Sequence, residues 1–71
     1  MSSQSRLSDA ARHVRDGRRI VAEQKARILQ MGSSGLDTDQ AESLLDVFER
    51  TQAIFESDLR NVEAEMRQGG N

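Results

Sequence analysis

The chain is 71 residues long, carries ten basic and twelve acidic side chains for a net charge of −2, and contains no cysteine or proline. Without cysteine it forms no disulfide and has no thiolate chemistry, and a single histidine argues against a zinc site. No apolar run approaches the roughly 20 residues that cross a bilayer, and the N-terminus lacks the apolar centre of a secretory signal, so we expect a cytoplasmic protein that does not bind membranes.

The composition indicates one all-α domain over residues 1–71. Alanine, leucine, arginine, glutamate and glutamine, which are good helix formers, are frequent, and the only aromatic residues are Phe48 and Phe55. At this length a single hydrophobic core supplies only a few kcal/mol of net stability, so we expect the chain to have a partner.

A seven-residue repeat of apolar and small side chains predicts a first helix over about residues 6–32. When each heptad is written as positions a to g, the a and d positions form the core stripe. Glycine inside a helix costs about 1 kcal/mol relative to alanine, so Gly17 is expected to permit the close approach of another helix or a phenylalanine ring. The core stripe consists of Leu7, Val14, Val21 and Ile28 at a, and Ala10, Gly17, Gln24 and Met31 at d.

Residues 33–37 are predicted to form the turn between two helices. The sequence GSSG, from Gly32 to Gly35, supplies a glycine where a helix C-terminus favours a left-handed residue. Asp37 can then cap the second helix by accepting a hydrogen bond from a backbone N–H of its first turn, with Gln40 as the second half of a capping box.

The second helix is predicted over about residues 38–67, and the residues beyond the helices, through Ser5 and from Gln68 to Asn71, are expected to fray. Its polar core residue Gln52, like Gln24 in the first helix, is of the kind that more often specifies register than forms a binding site. The core stripe consists of Thr38, Leu45, Gln52, Leu59 and Met66 at a, and Ala41, Phe48, Phe55 and Val62 at d.

The short connection favours an antiparallel hairpin of the coiled-coil type. In that arrangement e positions face e positions and g positions face g positions, and the charges at these positions are opposite in the two helices. Each exposed pair is worth only about 0–1 kcal/mol, so the charges select orientation more than they supply stability. With the turn between Ser34 and Gly35, the expected neighbours are Lys25 with Glu42, Arg18 with Glu49, Arg6 with Glu65 and His13 with Asp58.

The apolar face of the second helix is wider than a two-helix seam requires. We therefore expect two hairpins to pair into a homodimeric four-helix bundle, with Ile20 and Leu29 of the first helix as the alternative contact. The predicted self-association surface consists of Leu44, Val47, Phe48, Thr51, Ile54 and Phe55.

A basic cluster in the first helix, with Arg12, Arg15 and Arg19 on one face, is the candidate surface for a partner. Asp9, Asp16 and Glu23 on the same helix would repel phosphate, so a solvated outer face is the favoured interpretation, and an acidic protein is the partner that such a face would suit. His13 has no accompanying nucleophile, phosphate loop or metal-ligand spacing. We therefore assign no catalytic, cofactor-binding or metal residues and expect no cofactor.

Two stretches resemble a known group of proteins. They are the pattern HV..G...V..Q...I, from His13 to Ile28, and GLDTDQAESLLDVF, from Gly35 to Phe48. These are similar to short helical-hairpin proteins of proteobacteria, especially α-proteobacteria, for which no activity is assigned. The resemblance covers about half the chain, and it implies a bacterial helical hairpin without implying a role for any residue.

The sequence thus predicts a non-enzymatic helical interaction module that self-associates and binds or regulates a protein. The alternative is a small regulator that contacts nucleic acid through the basic face of the first helix.

Overall fold

The computed structural model describes residues 3–69, which form two α-helices. Helix α1 spans Ser3–Ser33 and helix α2 spans Asp39–Gly69. The helices pack against each other, and no strand occurs within residues 3–69. They run antiparallel, because Arg6 near the start of α1 contacts Glu65 near the end of α2. The structure is thus an all-helical hairpin.

The helices extend slightly beyond the ranges that the heptad pattern indicates. Ser5 and Gln68, which the pattern leaves outside the helices, lie within α1 and α2. The expected fraying through Ser5 and from Gln68 is wrong for residues 3–5 and 68–69, which are helical. The rest of the prediction falls on Met1, Ser2 and residues 70–71, which lie outside the described part of the chain.

Helix α1 ends in a Schellman motif. The N–H of Leu36 donates to the carbonyl of Met31 at 3.0 Å, and the N–H of Gly35 donates to the carbonyl of Gly32 at 3.0 Å. Gly35 has a φ of 76°, the left-handed conformation that this motif requires and that glycine adopts without a steric cost. The predicted glycine stop is confirmed, and Gly35 is the residue that provides it.

Helix α2 begins with two side-chain contacts. The N–H of Asp39 donates to Oδ1 of Asp37 at 2.9 Å, so Asp37 accepts a bond from the first turn as predicted. The predicted capping box is incomplete, because in the described part of the chain no hydrogen bond joins Gln40 to Asp37. The carbonyl of Thr38 accepts the first helical hydrogen bond, from the N–H of Glu42, while the Thr38 hydroxyl donates to the Glu42 carboxylate. The carboxylates of Asp39 and Glu42 also lie in the first turn, where the helix dipole favours negative charge.

The seam between the helices contains the predicted heptad positions. Every a and d residue from Leu7 to Met31 and from Thr38 to Met66 is buried or half-buried. The core is thin, however, since Val14 and Val62 are the only buried hydrophobic residues in the described part of the chain. Two helices alone therefore leave most seam side chains partly in water.

Two glutamines connect the helices by reciprocal hydrogen bonds. Gln24 of α1 donates Nε2–H to the carbonyl of Ala41 at 2.9 Å, and Gln52 of α2 donates Nε2–H to the carbonyl of Val14 at 3.0 Å. Both amides are buried. Because each bond requires its glutamine opposite one particular carbonyl, the pair supports the expected role of these residues in specifying register.

Gly17 makes room for Gln52. A Cβ added at Gly17 would lie 1.7 Å from Oε1 of Gln52 and 3.4 Å from Cδ2 of Phe55. The predicted close approach at Gly17 is therefore confirmed, with an amide as the nearest group and a phenylalanine ring beside it.

The ion pairs between the helices differ in part from the predicted ones. Arg6 pairs with Glu65 at 2.8 Å, as expected. Lys25 approaches Glu49 at 3.9 Å, and Arg18 pairs with Glu56 at 3.2 Å. The predicted pairing of Lys25 with Glu42 and of Arg18 with Glu49 was therefore wrong by one heptad. The antiparallel orientation that the charges indicated is unaffected.

The hairpin is a rod of 58 × 16 × 14 Å with a radius of gyration of 16.3 Å. A compact domain of this length would have a radius of gyration of about 11 Å. The elongated shape leaves each helix with two long sides that face solvent.

Candidate interaction surfaces

The most extended apolar surface lies on one side of α2. We call Leu44, Val47, Thr51 and Ile54 the α2 stripe. Leu44, Val47 and Ile54 are 43%, 51% and 61% exposed, and Thr51 is also exposed. Their spacing of three and four residues puts them on one face of the helix, at the c and g positions of the heptad. Exposed aliphatic side chains in such a row are typical of a contact surface.

The other two residues of the predicted surface, Phe48 and Phe55, lie between the α2 stripe and α1. Both are half-buried, because they occupy d positions of the seam. Phe55 stacks on the ring of His13, with the ring centroids 5.2 Å apart and the ring planes 20° from parallel. The two phenylalanines thus belong to the seam and also border the exposed face.

The two large apolar residues of α1 that lie outside the seam are on separate sides of the hairpin. Ile20 occupies a g position, on the side where Arg6 meets Glu65, and is 38% exposed. Leu29 is 73% exposed and lines a shallow groove of about 310 Å³ near the turn. The rest of that groove is formed by Lys25, Ile28, Glu42 and Leu45.

The basic face of α1 is partly neutralised. Arg12 pairs with Asp9 at 3.1 Å, and Arg19 pairs with Glu23 at 3.1 Å. Arg15 is exposed on the same face. Since a phosphate would have to displace a carboxylate from two of the three arginines, the pairs reduce the attraction of this face for nucleic acid.

A second groove lies near the ends of the hairpin, away from the turn. It has a volume of about 430 Å³, and its lining includes His13, Phe55, Asp58 and the Arg6–Glu65 ion pair. His13 was expected beside Asp58, and both line this groove, but the ring contact of His13 is with Phe55. Sequence reasoning did not find the groove. The signal in the sequence was the combination of His13 at a g position with the small residue Ala10 at the d position one turn before it. The aromatic residue Phe55 lies opposite on α2.

Within residues 3–69, no group of histidine and carboxylate side chains is placed to hold a metal ion. Over the same range, neither helix has the length and apolar character needed to cross a bilayer. No protein-family model, curated protein or solved structure matches the chain.

Proposed function

We propose that the chain is a non-enzymatic interaction module that pairs with a second copy through the α2 stripe to form a four-helix bundle. The bundle then binds or regulates another protein. The observation that carries this proposal is the exposed row of aliphatic side chains beside a thin two-helix core.

The surface area of the chain supports a second copy as the partner. A compact monomer of 7.9 kDa exposes about 4,400 Å². This chain exposes 5415 Å², which is about 1,000 Å² more than that reference. A stable interface buries about 800 Å² on each partner. Covering one long side of the rod would therefore remove an area of the size that a dimer needs.

Pairing would also complete the core. Phe48 and Phe55 are half-buried at the edge of the seam, next to the α2 stripe. A second hairpin on that side would cover the stripe and the phenylalanines together. Burying a large apolar side chain from full exposure contributes about 1.5–3 kcal/mol. These side chains are already partly covered, so each would contribute only part of that amount, but several together would stabilise a marginal hairpin appreciably.

A protein is a better match than nucleic acid for the remaining surface. Arg12 and Arg19 already have carboxylate partners on α1, and α2 presents a row of glutamates at e positions. A polyanion would be repelled by such carboxylates. A protein partner can instead use individual ion pairs around an apolar contact.

The test is to place a charge in the α2 stripe and to measure assembly and helicity separately. Val47→Glu and Ile54→Lys would each put a charge into the contact between copies, where desolvation costs several kcal/mol unless the charge finds a partner. Light scattering should give a dimer for the unmodified chain and a monomer for both variants. Circular dichroism should show that the variants lose helicity at a lower temperature, and that dilution lowers the melting temperature of the unmodified chain but not that of the monomeric variants.

Ala22→Glu is the matched control, because it adds the same carboxylate at an exposed b position on the outer side of α1. It should leave the dimer intact. An unmodified chain that stays monomeric at high micromolar concentration would contradict self-association. Stripe variants that remain dimeric would place the interface elsewhere, and binding of labelled RNA or DNA that weakens steeply with salt would favour the alternative function.

A further inference from the structure

The α2 stripe has a two-fold pattern of its own. Its residues are separated by three, four and three positions, so the spacing reads the same in both directions along the helix. The side-chain sizes are also symmetric, because large aliphatic residues, Leu44 and Ile54, lie at the ends and the smaller β-branched Val47 and Thr51, which differ by a methyl and a hydroxyl group, lie in the middle. Both middle side chains have nearly the same shape.

This pattern suits an antiparallel contact between two copies of α2. In a two-fold interface, residue i of one copy contacts residue j of the other, and the same contact occurs with the copies exchanged. If the axis passes at the level of Glu49, Leu44 lies opposite Ile54 of the second copy. Val47 then lies opposite Thr51 of the second copy, and each contact occurs twice.

The residues that border the stripe complement each other in the same arrangement. Gln40 and Asp58 are exposed and lie four residues before and four residues after the stripe on the same face. An antiparallel contact puts the Gln40 amide, a hydrogen-bond donor, opposite the Asp58 carboxylate of the second copy. A parallel contact would instead put Asp58 opposite Asp58, with two carboxylates in repulsion.

Helix α1 is consistent with the same axis. Gly17 lies opposite Gln52, so Ile20, three residues further on, is level with Glu49 across the seam. Ile20 is exposed on the g side of the hairpin, where the α2 stripe begins. A two-fold axis at this level therefore brings Ile20 close to Ile20 of the second copy, which covers another exposed aliphatic side chain.

We infer that the partner of the α2 stripe is the α2 stripe of a second copy, running antiparallel about a two-fold axis at the level of Glu49. The inference rests on the proposed self-association and adds its geometry.

Cysteine cross-linking tests this geometry directly, because the chain has no cysteine of its own. The double variant Leu44→Cys/Ile54→Cys should form a covalent dimer under mild oxidation. Leu44→Cys alone and Ile54→Cys alone should not form a covalent dimer. In the antiparallel contact each of these residues lies about 15 Å along the helix from the same residue of the second copy, and a disulfide needs Cα atoms within about 7 Å. The two cysteines of one copy are separated by the same distance and cannot bridge. Ala22→Cys measures cross-linking by random collision.

The outcomes separate the geometry from the proposed function. Efficient dimerisation of Leu44→Cys alone would show a parallel contact and overturn the inference, while self-association would stand. A chain that is dimeric by light scattering, but whose double variant cross-links no faster than Ala22→Cys, would place the interface elsewhere and also overturn it. A monomeric unmodified chain would overturn both proposals.

A second measurement uses the border of the stripe. Gln40→Glu would place a carboxylate opposite the Asp58 carboxylate of the second copy and should raise the dimer dissociation constant. Gln40→Lys would place an ammonium group there and should lower it. Each change should be about two- to thirty-fold for two symmetric contacts. The helix dipole alone predicts that Gln40→Glu is the more stable of the two variants, because a carboxylate stabilises and an ammonium destabilises the first turn of α2. Gln40→Glu dimerising more tightly than Gln40→Lys would therefore overturn the inference.

Discussion

The side-chain amide of Gln52 is inserted against Gly17, where its Nε2–H donates to the carbonyl of Val14 and its Oε1 occupies the space that a Cβ of residue 17 would need. The α-hydrogen of Gly17 is the group that faces Oε1, which makes a weak C–H···O contact at most. The seam therefore has one position where a glycine and a polar side chain depend on each other.

This dependence predicts a change of sign in a double-mutant cycle. Gly17→Ala alone should destabilise the hairpin by about 1–3 kcal/mol, because the new Cβ displaces the buried amide. In a Gln52→Ala background the same change should stabilise by up to about 1 kcal/mol, since alanine is the better helix former and the obstacle is gone. Thermal unfolding of the four proteins at matched concentration gives the coupling energy. Equal effects of Gly17→Ala in both backgrounds would show that the two residues do not interact.

Replacing Gln52 with methionine should raise the melting temperature. Oε1 of Gln52 is buried without a hydrogen-bond partner, which costs about 1–3 kcal/mol. The hydrogen bond from Nε2–H to the carbonyl of Val14 stabilises the hairpin by only about 0.5–1.5 kcal/mol. Methionine has a similar shape and no polar group to desolvate. Gln24→Met is the matched control, because Gln24 makes the equivalent hydrogen bond to the carbonyl of Ala41. This variant should raise the melting temperature less than Gln52→Met does. A lower melting temperature for Gln52→Met than for Gln24→Met would contradict this account.

Gly32 at the end of α1 and Gly35 in the turn should respond to alanine in opposite directions. Gly35→Ala puts a side chain at φ 76° and should cost about 1–2 kcal/mol. Gly32→Ala lies within α1, with nothing within 4 Å of the added Cβ, and should stabilise by up to about 1 kcal/mol. Denaturant unfolding at constant m-value measures both changes. If Gly32→Ala were the more destabilising of the two, the Schellman motif at Gly35 would be assigned wrongly.

Asp37→Ala should destabilise the hairpin by about 0.5–2 kcal/mol, because it removes the acceptor for the N–H of Asp39. Asp37→Asn keeps an oxygen in the same place and should cost much less, since asparagine caps about as well as aspartate. Thermal melts compare the two variants. Equal losses would mean that the negative charge, and not the hydrogen bond, is what α2 uses at this position.

The seam and the turn were predictable from the sequence because both depend on local rules. A heptad repeat identifies the residues that face a partner helix, and glycine followed by aspartate identifies a helix stop and start. The structure contains both, from Leu7 to Met66 and at Gly35 and Asp37. The self-association surface remains a prediction.

The partners of individual side chains were less predictable. In each helix the Cα–Cβ bond tilts toward the N-terminus, so Lys25 leans away from the turn while Glu49 leans toward it. Lys25 therefore approaches Glu49 and not Glu42, which a count of residues from the turn does not reveal. The bonds from Gln24 and Gln52 to backbone carbonyls were missed for a related reason. A heptad identifies which residues are in the seam but does not give the direction of a flexible amide.

The glycine turn has a consequence for how the chain folds. Among the contacts between the helices, the bond from Gln24 to Ala41 closes a segment of 17 residues, and the bond from Gln52 to Val14 closes one of 38. Closure entropy rises with segment length, by about 0.6 kcal/mol for each doubling, so contacts beside the turn form at the lowest entropic cost. We therefore expect folding to begin beside Gly35 and to proceed toward the chain termini. Substitutions at the turn should slow folding, whereas substitutions near Val62 should mainly speed unfolding.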